Sequence, residues 1–128
     1  MKSTFRLAQL SAVIAAVLAA ASTQAAMTDI RWSPSDTFDS ILIVAPGKSA
    51  EVCGEIDPRY PVQWKYAADG PLNFNIHRHS GDTVIHANKS MMTREERGTL
   101  SPTFKFEWCW MWTNESATDV SVRVDLKR

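Results

Sequence analysis

Three histidines, His77, His79 and His86, stand within ten residues, and the chain has no others. Between them lies Gly81-Asp82, a dipeptide with glycine first that suits a two-residue hairpin loop. Such a loop sets Ser80 opposite Thr83 and His77 opposite His86. The two-residue period of a strand then places all three imidazoles on one face, with Asn75 and Asn88. Cross-strand neighbours stand about 4.5–5.5 Å apart at Cβ, with diagonals near 7–8 Å. His-x-His on one strand with a third histidine opposite is a donor set for Zn²⁺ or Cu²⁺. Met91 and Met92 follow closely and add two soft thioethers of the kind that hold Cu(I). Three nitrogen ligands also leave an open position of the sort a hydrolytic zinc site needs. Without a metal, the same hairpin face is a polar surface titrating near about pH 6.5. Leu72, Phe74, Ile76, Ile85 and Ala87 fall on the opposite face, so the histidines are expected to face solvent.

The remaining chemistry rests with two cysteines and a run of rings. Cys53 and Cys109 are the only cysteines, and their spacing is unlike the Cys-x-x-Cys of a redox or metal pair. In an exported chain an even count reads as one disulfide. Closing a loop of this length is worth roughly 4 kcal/mol on the chain-entropy account. Phe104, Phe106, Trp108, Trp110 and Trp112 occupy every second position, so an extended strand puts five rings on one face. Those rings form either the core or, if Trp108, Trp110 and Trp112 were open to water, a platform for stacking sugars. No nucleophile elbow, phosphate loop or helical His-Glu-x-x-His occurs. No spacing links a serine and an aspartate to a histidine. No catalytic residue is assigned, and the chain is not expected to be an enzyme.

The elements that position these residues are short strands. Ser40–Ala45 and Ser49–Ile56 flank Pro46-Gly47. Val62–Ala67 ends at Asp69-Gly70-Pro71, and Leu72–His79 and Thr83–Asn88 form the hairpin. The aromatic strand follows Ser101-Pro102, and Asp119–Leu126 closes the chain after the Asn114-Glu115-Ser116-Ala117 turn. Residues 26–37 read as a leading arm. Residues 89–100, polar and containing Arg94-Glu95-Glu96-Arg97, read as a long loop. The pattern predicts an all-β, antiparallel, jelly-roll-like β-sandwich of seven or eight strands.

At the start, Lys2 and Arg6 precede an apolar run from Leu7 to Ala21 and the small residues around Ala25. This is the pattern of a secretory signal peptide over residues 1–25, leaving one domain, residues 26–128. A bacterial periplasm, or secretion, is the expected location. Beyond the leader, 12 basic and 14 acidic residues give a net charge of −2. They are scattered, which argues against nucleic-acid binding. The mature chain contains no second long apolar segment and is expected to lack a transmembrane span.

Several segments resemble the GOLD (Golgi-dynamics) domain. They are Trp64-Lys65-Tyr66, Gly70-Pro71-Leu72-Asn73-Phe74-Asn75-Ile76-His77, Gly98, and Trp108-Cys109-Trp110-Met111-Trp112-Thr113-Asn114-Glu115-Ser116. The resemblance covers roughly residues 40–127. In the family, a strand of alternating aromatic or aliphatic residues runs into an asparagine turn and a last strand. Related receptors often carry a disulfide whose second cysteine lies two residues nearer the turn, where this chain has Met111. The resemblance implies a GOLD-type sandwich that recognises a protein or lipid partner and has no catalytic machinery. A eukaryotic trafficking role does not carry over. Three functions are therefore open: a non-enzymatic binding module, a periplasmic copper- or zinc-binding protein, and a carbohydrate-binding module.

Overall fold

The alternation of apolar and polar residues folds into seven strands and no helix in the computed structural model, which describes residues 25–128. They are β1 (Ala26–Asp29), β2 (Thr37–Val44), β3 (Ser49–Ile56), β4 (Val62–Ser80), β5 (Thr83–Leu100), β6 (Phe106–Thr113) and β7 (Val120–Lys127). One curled sheet joins them in the order β1-β3-β6-β4-β7-β2, with β5 on the other edge of β4. The ladders are antiparallel except β1 with β3, which is parallel. The expected signal peptide lies outside the described residues, apart from Ala25. Among the described residues no helix is long and apolar enough to cross a membrane.

The strand that closes the sandwich is β4. Its first part, Gln63–Ala68, pairs with β7, and its later part, Asn73–His77, pairs with β6. Asp69-Gly70-Pro71, expected to separate two strands, instead bends one 19-residue strand from one layer into the other. A β-carbon on Gly70 would stand 2.9 Å from Cγ2 of Val120, so the bend tolerates no side chain there. The expected loop 89–100 is also strand. Its charged segment pairs with β4 through Lys65–Arg97, Tyr66–Glu96 and Ala67–Glu95. β5 is mostly exposed, and along its middle the inward residues Asn88, Ser90, Thr93 and Glu96 are polar, which removes the apolar alternation that marks a strand in sequence. Glu96 accepts hydrogen bonds from Ser90 Oγ (2.9 Å) and Asn88 Nδ2 (3.3 Å). The leading arm contributes β1.

The core forms where β4 and β6 meet. Phe74 packs on Tyr66, Trp64 and Trp112 with ring centroids 4.6, 5.2 and 5.4 Å apart, and Tyr66 meets Trp112 edge-on at 5.5 Å. Such pairs contribute about 0.5–1.5 kcal/mol each beyond the area they bury. Trp108, Trp110 and Trp112 are 6%, 0% and 0% exposed. Their ring faces are closed to water, so the sugar-stacking platform is corrected to core. Phe104 and Phe106 share the alternation but lie beyond the covered part of the sheet and are 66% and 37% exposed. On the other side of β6, Cys109 is bonded to Cys53, its directly opposed residue on β3, with Cα atoms 4.1 Å apart.

Asn114 fixes the end of β6. It is fully buried, and its Nδ2 donates to the carbonyls of Val44 (2.8 Å) and Thr118 (2.7 Å). Its Oδ1 accepts from the amide and hydroxyl of Ser116. The side chain thereby ties the β2 end, the β6 end and the last turn together. Replacing Asn114 with Ala should cost about 2–4 kcal/mol, because buried carbonyls and an amide lose their partners. Gly98 meets the Trp64 ring so closely that a β-carbon would lie 2.7 Å from Cζ2. Gly98→Ala should therefore cost about 1–3 kcal/mol through overpacking. Urea denaturation of both variants checks these values.

Candidate functional site

The β4–β5 hairpin forms in the expected register at its tip. Ser80 opposes Thr83, His79 opposes Val84 and His77 opposes His86. Gly81 has φ +59°, as a turn with glycine first requires. Between Ile76 and His77 the register shifts by one residue, so that Ala87 is extra on β5 and Asn88 faces Ile76. This bulge moves Asn88 off the histidine face and inward to Glu96. It also leaves Ala87 exposed and Ile85 half-buried where core was expected. Asn75 stays with the histidines.

The histidine face is the outer surface of the β3–β6–β4–β5 layer. Cys109 lies between Cys53 on β3 and His77 on β4. One step along, Met111 lies between Glu51 and Asn75. This places His77 over the disulfide, and its side chain is only 6% exposed. The expectation that all three histidines face solvent holds for His79 and His86 and fails for His77. The His77 ring centroid is 5.2 Å from that of His79 and 6.2 Å from that of His86. Its Nδ1 lies 2.7 Å from Asn75 Oδ1. Its Nε2 stands 4.0 Å from Glu51 Oε2.

Sequence reading missed Glu51. It lies on β3, more than twenty residues from the hairpin in sequence, and only the β3–β6–β4 register brings it beside His77. The alternation of Glu51, Cys53 and Glu55 opposite buried Val52 was the available signal. Burial is the first cause of a Glu51 pKa raised above 4.5, with His79 opposing the shift and Glu107 adding to it. Burial, then the charges of His79 and His86, pushes His77 below 6.5.

Met91 and Met92 do not join this cluster. Met91 lies five residue steps beyond His86, on the order of 16 Å along a strand. The pair instead forms a second bulge opposite Asn73, whose Oδ1 accepts the Met92 amide at 3.0 Å, and Met92 has φ +55°. Both methionines are exposed, at 69% and 58%.

A second exposed feature occupies the corner before β6. Phe104 and Phe106 meet edge-on at 6.2 Å, and the Arg78 guanidinium lies 4.2 Å from the Phe106 centroid. On the other layer, a trough of about 820 Å³ is lined by Asp39, Gln63, Lys65, Arg97 and Asp125, among others. Its charges are mixed, and none of its lining residues is a serine, cysteine or histidine.

No protein-family model matches the chain, and no curated protein matches it in sequence. Solved structures do show a similar fold. PliG of Aeromonas hydrophila, a periplasmic lysozyme inhibitor of g-type lysozyme, is similar at a TM-score of 0.58 and 8% identity, over 81% of this chain and 96% of that one. The Yersinia pseudotuberculosis-derived mitogen has a TM-score of 0.49 at 11% identity, over 73% and 86% of the two chains. A de novo designed double-stranded β-helix has a TM-score of 0.42 at 19% identity, over 70% and 97%. The likeness to PliG establishes an all-β fold for this chain.

The depressed His77 pKa gives a signed expectation for the metal-free protein. Below 6.5 the unfolded chain binds a proton that the folded chain resists. Stability due to His77 is therefore fully present above that pH and is lost as pH falls through the folded value. Glu51, raised above 4.5, acts in the opposite sense, losing stability as pH rises through its folded value. In a chelator-containing buffer the urea midpoint should fall from pH 7 towards 5.5, and His77→Gln should flatten that fall.

Proposed function

We propose that the protein is an exported, non-enzymatic module that binds a protein partner through the Phe104–Phe106–Arg78 corner. The observation that carries this is the exposure of two phenylalanines in edge-on contact beside an arginine, while the three tryptophans of the same alternation are buried. Aromatic residues and arginine are enriched at interface centres and carry much of the binding energy there. A disulfide between opposed strands and the signal-like leader support export to the periplasm or beyond. The GOLD resemblance implies the same class of role. The fold shared with PliG supports it too, and makes an enzyme that cleaves the cell wall, g-type lysozyme first, the partner to test.

Lysozyme activity on cell-wall substrate should fall on addition of the protein, and calorimetry should report a complex. Phe104→Ser with Phe106→Ser should weaken that complex at least tenfold, since both side chains lie outside the core. A complex indifferent to the double change would contradict the corner as the contact surface. If no complex forms with lysozyme, crosslinking in the native cell takes its place, with the double variant expected to lose the wild-type product.

A further inference from the structure

We propose that the outer face of the β3–β6–β4–β5 layer is a site for one Zn²⁺ or Cu²⁺ ion, held by His77, His79, His86 and Glu51. The inference goes beyond the partner-binding role and does not depend on it.

The anchor is His77. Asn75 Oδ1 can only accept, so at 2.7 Å the His77 Nδ1 must be the donor. In the neutral ring this leaves the lone pair on Nε2. Metal-bound histidines are oriented in this way, with the other ring nitrogen donating to a fixed oxygen. Nε2 faces Glu51 Oε2 across 4.0 Å, beyond hydrogen-bonding distance. Two acceptors therefore confront each other with their side chains only 6% and 17% exposed. A cation between them satisfies both. Zn–N and Zn–O bonds are each about 2.0–2.2 Å, so a tetrahedral ion needs the two atoms to close by well under 1 Å.

His79 and His86 complete the donor set. As exposed residues beside the hairpin tip, they are free to change rotamer without moving backbone. That rotation is required. Among the described residues, the one group of three or more ligand atoms all within 4.8 Å of one another is Glu51, Cys53 and Cys109, and the cysteines are bonded to each other. Three imidazoles and one carboxylate favour Zn²⁺ or Cu²⁺ over Ca²⁺ or Mg²⁺. Met91 and Met92 lie elsewhere, so their thioethers do not select Cu(I) here. Four protein ligands fill a tetrahedral shell, which leaves no open position for a hydrolytic water.

Titration calorimetry of chelator-treated protein with ZnCl₂ and with CuCl₂ tests the site, with Co²⁺ as a spectroscopic probe. One equivalent of Zn²⁺ or Cu²⁺ should bind, and Co²⁺ should give the visible spectrum of tetrahedral coordination. The double change His79→Ala and His86→Ala touches only exposed side chains and should weaken binding at least 100-fold while the fold persists. Glu51→Gln should weaken binding at least tenfold. Asn75→Leu should weaken it about 10–100-fold, as loss of an orienting partner does, and Asn75→Asp should restore it. Absence of a stoichiometric equivalent for either ion would overturn the proposal. So would an unchanged affinity in the double-histidine variant.

Discussion

Three indoles on one short strand constrain everything around them. Trp108, Trp110 and Trp112 all point inward from β6, and rings of this kind bury about 150–250 Å² each. No single sheet can cover that much apolar surface, so the layer beside β6 has to fold back over it. β4 does this by running along β6, bending at Asp69-Gly70-Pro71 and continuing along β7. The bend sets Tyr66 and Trp64 against Phe74 and Trp112. The burial has a cost: the indole N–H groups of all three tryptophans find no protein partner. Each such buried donor opposes folding by about 1–3 kcal/mol, and the area and ring contacts must outweigh that sum.

Using one face of β6 for the core leaves its other face to shape the surface. Cys109 is bonded there to Cys53, and His77 opposes Cys109 from β4. The polar groups gathered around that bridge come from three strands and include a carboxylate and an imidazole whose charged forms are both disfavoured by burial. At the strand's open end the same alternation runs out of cover, and Phe104 and Phe106 emerge beside Arg78. The proposed recognition surfaces thus lie at the margins of the element that stabilises the fold.

Much of the architecture was legible in the sequence because it depends on period two. The aromatic strand, the closing Val120–Leu126 alternation, the Gly81-Asp82 turn and the His77–His86 opposition all follow from local pattern. β5 escaped notice because Asn88, Ser90, Thr93 and Glu96 replace apolar residues on its inward side. The bulges at Ala87 and at Met91-Met92 were equally hidden, since an extra residue on one strand leaves no mark in composition. β1 pairs in parallel with β3 through four residues, too few to show a period. Glu51 required the order of three strands, which no local signal supplies. Alternation also misplaced Phe104 and Phe106, because period fixes a side of the sheet and says nothing of where cover ends.

The fold rests on the tryptophan strand being core, with the proposed recognition surfaces at its margins and on its outer face. Proton NMR of indole hydrogen exchange tests it most directly. The Nε1 protons of Trp108, Trp110 and Trp112 should exchange only as fast as the whole domain unfolds, and the half-buried Trp32 should exchange faster. Rapid exchange at Trp110 or Trp112 under native conditions would contradict the account, because it would open to solvent the strand on which the sandwich is built.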